Sequence, residues 1–107
     1  MKAVSFLGDS LDAVRDFPDG PRREAGFQID RVQRGLEPDH WKPMKTIGRG
    51  VREIRISDGG AFRVVYSAVM ADAVYVLHAF QKKTQTTSRH DLDLAAARYA
   101  KLIRRTR

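Results

Sequence analysis

The chain has 107 residues, 42% of them hydrophobic and 31% charged, which is ordinary for a globular protein and excludes a disordered chain. It contains no cysteine, which excludes a disulfide scaffold and thiol catalysis and leaves the usual structural zinc sites without thiolates. The formal net charge is +7, and no apolar run is long enough for a signal peptide or a membrane span, so we expect one cytoplasmic domain over residues 1–107.

The positive charge is concentrated in the C-terminal two thirds of the chain. Residues 1–40 contain 6 Lys/Arg and 8 Asp/Glu, a balance of −2, whereas residues 41–107 contain 14 Lys/Arg and 5 Asp/Glu, a balance of +9. Such an uneven distribution is typical of proteins that bind a polyanion or an acidic protein. A basic surface that only keeps the protein in solution is the alternative, and charge alone does not decide between them.

The N-terminal part predicts a strand followed by a helical hairpin. Residues 2–6 form the expected strand, and apolar residues at helical spacing in 9–17 predict a helix capped by Asp9 or Ser10. After a break at 18–21, a second helix is expected with Pro21 in its first turn, and it ends at Gly35 and Pro38. Its predicted apolar stripe consists of Ala25, Ile29, Val32 and Leu36.

The remaining residues predict a loop, three strands and a closing helix. We expect a loop over 39–50 and strands over 51–56, 61–70 and 73–80, joined by tight turns, with the last and most apolar strand in the centre. A helix over 88–104 begins with a capping box of Ser88 and Asp91 and has Tyr99 on its apolar stripe. The order β-α-α-β-β-β-α predicts an α+β fold, in which an antiparallel sheet packs with an N-terminal helical hairpin and a C-terminal helix.

Common catalytic and metal-binding motifs are missing from the sequence. There is no cysteine or G-x-S-x-G nucleophile, and no P-loop or G-x-G-x-x-G follows a strand. The three histidines, His40, His78 and His90, are widely spaced and are not accompanied by clustered carboxylates. We therefore expect neither a metal nor a cofactor.

A cluster of basic residues is the main candidate site. The alternating pattern places Arg55 and Arg63 on adjacent strands and on the same side of the sheet, and one of Lys82 and Lys83 should join them from the next strand end. Two like charges on adjacent strands repel, which a sheet tolerates more readily where an anion binds between them. Guanidinium and ammonium groups are suitable phosphate ligands. Two further groups begin the last helix near the same edge, Arg89 and His90.

These residues also have structural interpretations. Arg55 and Arg63 could instead cover the sheet edge or pair with Glu53 and Asp58. The position of His78 in an apolar strand favours a buried, hydrogen-bonded neutral histidine over a general acid or base. Core packing is favoured over stacking on nucleobases for both Trp41 and Tyr66.

Three segments resemble the RelE/HigB toxins of type II toxin–antitoxin modules, and more closely their phage-derived HigB-like branch. They are "WKPMKTIGRGVREIRI", "GGAFRVVY" and "VYVLHAFQKKTQTTSRHDLDLAAARY". The segment "REAGFQIDRVQRGLEPDHWKP" is similar to the helical hairpin of that branch, so the resemblance covers nearly the whole chain.

The resemblance implies a RelE-like microbial-RNase fold and a toxin that inhibits translation. Such a toxin enters the ribosomal A site and cleaves mRNA by attack of a ribose 2′-hydroxyl on the adjacent phosphate, which leaves a 2′,3′-cyclic phosphate without a metal or cofactor. It is neutralised by a cognate antitoxin, here expected to be a helix-turn-helix protein of the HigA type. Two alternatives share the fold: a ParE-like inhibitor of DNA gyrase without RNase activity, and a phage-derived remnant that only binds an antitoxin.

The resemblance also implies roles for individual residues. Three residues are expected to be catalytic. Arg63 matches a strand arginine that stabilises the phosphate, and Arg55 matches a basic position that activates or orients the nucleophile. Lys83 matches a basic residue after the last strand that serves as an acid or as an electrostatic clamp. Lys82 is the second choice for the role of Lys83 and is otherwise expected to bind RNA. The other residues expected to contact RNA or the ribosome are Lys42, Lys45, Arg49, Arg52 and Arg89. The candidates for proton transfer are Glu53, His78 and His90.

Overall fold

In the computed structural model, which describes residues 1–105, five strands form one sheet and three helices pack against it. The strands are β1 (Ala3–Phe6), β2 (Trp41–Pro43), β3 (Val51–Ser57), β4 (Ala61–Ser67) and β5 (Ala73–Lys82). The helices are α1 (Ser10–Arg15), α2 (Asp19–Gln33) and α3 (Arg89–Arg105). The α+β fold class is confirmed, and the arrangement is compatible with the RelE-like microbial-RNase fold.

The strand order is β1-β5-β4-β3-β2, so that β4 is the central strand and β5 lies one place away from the centre. The β3–β4–β5 meander is antiparallel, as the sequence predicts. The whole sheet is mixed rather than antiparallel, because β1 pairs with β5 in parallel. Parallel neighbours need a long crossover connection, and the α1–α2 hairpin lies in the chain between β1 and the meander.

Strand β2 was not expected, because residues 39–50 predict only a loop. Trp41 pairs with Ile54 and Pro43 with Arg52 at the edge of the sheet. Three residues are too few to show a strand pattern in the sequence. Pro43 has no amide to donate, which an edge strand tolerates because only one of its sides is paired.

The helix ends differ from the sequence-based expectation in two places. Asp9 precedes α1 but makes no capping bond with its side chain, because its carboxylate accepts a hydrogen bond from Arg98 at 2.7 Å instead. Helix α2 ends at Gln33, and Gly35 follows with a φ of 85°. Leu36, expected on the apolar stripe, therefore lies beyond the helix and is 51% exposed. At α3, the Ser88 hydroxyl accepts from the Asp91 amide at 3.1 Å, which confirms the capping box.

The two faces of the sheet carry separate apolar cores. One face packs against α1 and α2 through residues such as Ile54, Val64 and Val76. The other, here called the α3 face, packs against α3 through residues such as Val65 and Leu77. Strand β4 ends at Ser67 rather than at residue 70, so the predicted alternation does not continue beyond that point. No helix within residues 1–105 is long and apolar enough to span a membrane.

A β-bulge in β5 changes which side chains reach α3. Tyr66 pairs with Val76 and Val65 with His78, which leaves Leu77 as the extra residue of β5. At such a bulge two consecutive residues oppose one residue of the partner strand. Leu77 packs in the core under α3, and His78 contacts Asp91 of α3, so both side chains lie on the α3 face. With strict alternation along β5, one of these two side chains would have pointed to the opposite face of the sheet.

Candidate active site

Arg55 and Arg63 lie directly opposite each other on β3 and β4, which confirms the predicted juxtaposition. Cross-strand partners share a face of the sheet, and the position of Val65 two residues further along β4 identifies it as the α3 face. The two arginines differ in their surroundings, because Arg63 is only 5% exposed whereas the Arg55 side chain is 43% exposed. The pair thus combines one fixed, desolvated guanidinium with one that solvent and ligands reach.

Glu53 provides the negative charge of this cluster. It is 4% exposed, and its Oε1 atom lies 3.4 Å from Arg63 Nε and 3.9 Å from Arg55 Nε. Among residues 1–105, neither Glu53 Oε2 nor Arg63 Nε has a hydrogen-bond partner, although both atoms are buried. Burial lowers the pKa of the Arg63 guanidinium; Glu53 opposes that shift and Arg55 adds to it. The cluster therefore has unused hydrogen-bonding capacity. Because unsatisfied buried groups cost free energy, a ligand that bonds these atoms would be favoured.

Lys82 and Lys83 lie at the end of β5, beside the arginine pair. Arg63 pairs with Phe80, and alternation places Lys82 on the same face as Phe80. Lys83 follows the strand and is exposed. Both lysines line a cavity of about 200 Å³ together with Ser88 and Asp91 from the start of α3. The structure therefore places both lysines within one depression next to the arginines, with Lys82 on the predicted face.

His78 is buried in a polar network between β5 and α3. Its Nε2 atom lies 2.7 Å from Asp91 Oδ1, and its Nδ1 atom lies 3.4 Å from Arg98 Nη1. Because arginine only donates, Nδ1 is the unprotonated nitrogen and Nε2–H donates to Asp91. Asp91 also accepts a hydrogen bond from the Ser88 hydroxyl at 2.6 Å. With both ring nitrogens engaged, His78 has the arrangement of a neutral structural histidine.

The other predicted contact residues are distributed around the sheet. Lys42 is exposed and lies opposite Glu53, which puts it on the α3 face near the arginine pair. Arg52 pairs in register with Pro43 and contacts Glu37 at 3.7 Å, on the opposite face of the sheet. The remaining predicted residues are exposed: Lys45 and Arg49 lie between β2 and β3, and Arg89 and His90 lie in the first turn of α3.

The aromatic residues behave in different ways. Tyr66 is buried in the core, as expected, and burial raises the pKa of its phenol. Trp41, also expected in the core, is only half-buried, because its strand forms the sheet edge. Tyr99 packs against the α3-side core, and its hydroxyl donates to the Arg49 carbonyl at 3.2 Å.

Comparison with models of known protein families gives one match. The model of the family described as "Phage derived protein Gp49-like" matches residues 12–100, most of the chain. The chain belongs to the Gp49-like family. Gp49-like proteins are toxin-like proteins of toxin–antitoxin systems, and such a protein implies an antitoxin partner. A search of the curated proteins finds no match.

A larger cavity of the Gp49-like protein is not the basic site. It has a volume of about 590 Å³ and is lined by the carboxylates of Glu24, Asp39 and Asp58 as well as by Arg55. Buried Gln28, at its wall, is satisfied by hydrogen bonds to Asp39. Three carboxylates repel a phosphate, so the α3 face is the better candidate for a nucleic-acid substrate. Residues 1–105 contain no group of three or more His, Asp or Glu side chains arranged as a metal site.

Two residues of the site region make long-range contacts that the sequence did not indicate. Arg98 donates to the carbonyl of Leu77 at 3.0 Å and to Asp9 at 2.7 Å, and so connects α3 with β5 and with the start of α1. Asp91 was expected only as part of a capping box, but it also holds His78. These contacts join residues that are 13 to 89 positions apart in the chain, where local patterns carry no information.

Proposed function

We propose that the protein is the toxin of a type II toxin–antitoxin module and that it cleaves mRNA on the ribosome. The observation that carries the proposal is the Arg55–Arg63 pair, with the buried Arg63 held beside Glu53 and with unused hydrogen-bonding capacity. A buried cation next to a second, accessible cation is suited to a pentacoordinate phosphate, on which negative charge develops. Membership of a toxin-like family supports the same conclusion.

The chemistry we propose is transfer of the phosphate within the RNA chain. The 2′-hydroxyl loses its proton to a base, the bond from O2′ to phosphorus forms, and the bond from phosphorus to the 5′-oxygen breaks. The departing 5′-oxygen takes a proton from an acid, and the products are a 2′,3′-cyclic phosphate and a 5′-hydroxyl. Among Glu53, His78 and His90, Glu53 fits the base best, because its Oε2 atom is unpartnered among residues 1–105 and its Oε1 atom lies 3.4 Å from Arg63 Nε.

The other groups have complementary roles in this proposal. Arg63 and Arg55 stabilise the charged phosphate, and Lys83, with Lys82 beside it, contacts the phosphate or the leaving oxygen. His78 is poorly suited to proton transfer, since both of its nitrogens are engaged. His90 is exposed in the first turn of α3 and remains a candidate for the acid.

In vitro translation with mapping of mRNA 5′ ends tests this function. We expect the wild-type protein to produce new 5′ ends only when ribosomes are present, and Arg63→Lys to lower the cleavage rate about 100-fold or more. Lysine keeps the charge beside Glu53 but loses the planar fork, so the fold should be retained. Arg23→Lys makes the same exchange at an exposed site on α2 and serves as the matched control.

The alternatives predict different results in the same series. Cleavage that is unchanged in Arg63→Lys would reject the assigned role of this arginine. Growth arrest without mRNA cleavage, together with inhibition of supercoiling by purified gyrase, would favour the ParE-like function. Absence of toxicity together with antitoxin binding would favour the remnant.

Partner binding follows from the same proposal. We propose a HigA-type helix-turn-helix antitoxin, and co-expression of such a protein from the neighbouring gene should restore growth. Binding to ribosomes should weaken as salt is raised, because the region with the +9 balance would displace counterions from RNA. An affinity that does not change with salt would contradict an electrostatic contribution from this region.

A further inference from the structure

A second basic groove lies at the β2 edge of the sheet, away from the arginine pair. This groove, here called the Trp41 groove, has a volume of about 420 Å³. Its side chains include Trp41, Pro43, Lys45, Arg49 and Arg52. No carboxylate is present among its lining residues, whereas three line the cavity of about 590 Å³ described above. The groove therefore attracts an anion.

Trp41 and Arg52 form a flat, rigid wall in this groove. The Arg52 guanidinium carbon lies 3.9 Å from the centroid of the Trp41 ring, a cation–π contact. Glu37 also contacts Arg52, at a distance of 3.7 Å. The indole is only half-buried, so part of it is open to the groove. A pre-positioned aromatic surface next to a guanidinium is suited to stacking with a nucleobase.

The charges near this wall suit a sugar–phosphate backbone. Lys45 and Arg49 are exposed and line the same groove. The Arg49 carbonyl accepts a hydrogen bond from Tyr99, which anchors the segment between β2 and β3 to α3. An acidic peptide would satisfy the two cations but has no flat group for the indole. An unpaired nucleotide satisfies both features.

We propose that the Trp41 groove binds an unpaired RNA nucleotide, whose base stacks on Trp41 and whose phosphate contacts Lys45 and Arg49. This inference rests on the proposed function in that it assigns RNA as the ligand of both sites. Arg55 and Arg63 lie on the α3 face, whereas Trp41 and Arg52 lie on the opposite face, with exposed Lys42 between them in β2. An RNA strand that passes over the β2 edge contacts both sites. The nucleotide comes from mRNA or from ribosomal RNA, which share this chemistry.

Trp41 is the only tryptophan of the chain, so its fluorescence reports on the groove directly. The full-length protein is titrated at low salt with a short unstructured RNA, an RNA duplex of the same length, and polyglutamate of similar charge. We expect the single-stranded RNA to quench the emission. The duplex and the polyglutamate bind through charge, seen by light scattering or anisotropy, but leave the emission nearly unchanged. Equal responses to all three ligands, or binding of single-stranded RNA without quenching, would overturn the proposal.

Substitutions measure the contribution of the aromatic ring. With fluorophore-labelled RNA, Trp41→Ala should weaken binding about 5- to 150-fold, the range for loss of one stacked base. Trp41→Phe keeps a ring at the edge strand and should retain most of the affinity. Phe27→Ala removes an aromatic ring that is 54% exposed on α2 and is the matched control, with no expected change. If Trp41→Ala does not fold, the RNA affinity of Trp41→Phe and the quenching of wild-type fluorescence test the proposal.

Ribosome sedimentation separates the two RNA sources. Weaker binding of Trp41→Ala to ribosomes without mRNA indicates ribosomal RNA, and weaker binding only to mRNA-programmed ribosomes indicates mRNA. Unchanged binding to both would overturn the groove's role. Failure of the proposed nuclease activity is a separate result, because Arg63→Lys should lower the rate of mRNA cleavage but leave quenching of Trp41 by free RNA intact.

Discussion

Replacing Arg63 by methionine leaves the buried carboxylate of Glu53 without its nearest cation. The two side chains lie 3.4 Å apart, and both are almost fully buried. Removing one partner of a buried ion pair costs about 3–5 kcal/mol, because the other charge stays buried without compensation. Arg55 lies 3.9 Å from the same carboxylate oxygen and remains in place. We therefore expect Arg63→Met to lower the free energy of unfolding by about 3 kcal/mol, the low end of that range.

Replacing the other partner of the pair, Glu53, should lower the free energy of unfolding by a similar amount. Glu53→Gln leaves Arg63 desolvated and directly opposite Arg55, and it removes the carboxylate that opposes the lowering of the Arg63 pKa. We expect a loss of about 3 kcal/mol here as well. The double variant has no unpaired buried charge, so it should lose about 3 kcal/mol in total rather than about 6, a coupling of about 3 kcal/mol.

Urea unfolding, followed by Trp41 fluorescence and by circular dichroism, measures these free energies in all four proteins. The exposed pair of Asp30 and Arg34, at a distance of 2.8 Å, provides a matched cycle. Despite the shorter distance, its coupling should be only about 0.3–0.5 kcal/mol, because solvent screens both charges. A buried-pair coupling no larger than that of the exposed pair would refute the argument from burial.

Three further predictions concern stability. Arg98 lowers the pKa of Asp9 in the folded protein. The pair therefore stabilises the fold at pH values above the usual aspartate pKa of about 3.9. This stabilisation is lost as the pH falls toward the lower pKa of the folded state. Asp9→Asn should therefore lower the free energy of unfolding by about 0.2–1 kcal/mol at pH 7 but less and less in urea titrations below pH 4; a constant loss would contradict the ionic explanation. Asp91→Ala removes the partner of His78 and should cost about 1–3 kcal/mol with faster hydrogen exchange in the first turn of α3, whereas unchanged exchange would argue against this anchoring. Leu36→Ser should change stability by no more than about 0.5 kcal/mol in thermal unfolding, and a larger loss would mean that the exposed leucine packs in solution.

The secondary structure was largely predictable because most elements are long enough to show their period. The two-residue period in β3 and β4 predicts the shared face of Arg55 and Arg63, and the register confirms it. The Ser88–Asp91 capping box was equally local. Strand β2 was missed because three residues show no period, and Leu36 was misassigned because the helical spacing continued beyond the end of the helix at Gln33.

The sequence by itself determined the α+β order, the uneven charge and the presence of two arginines on one face of the sheet, since all three depend on composition and local period. Only the tertiary structure decided that Arg63 is buried against Glu53 while Arg55 stays accessible. It also decided that a bulge at Leu77 turns His78 toward Asp91. Burial and partner choice depend on which distant elements cover a side chain, and the local pattern of residues does not contain that information.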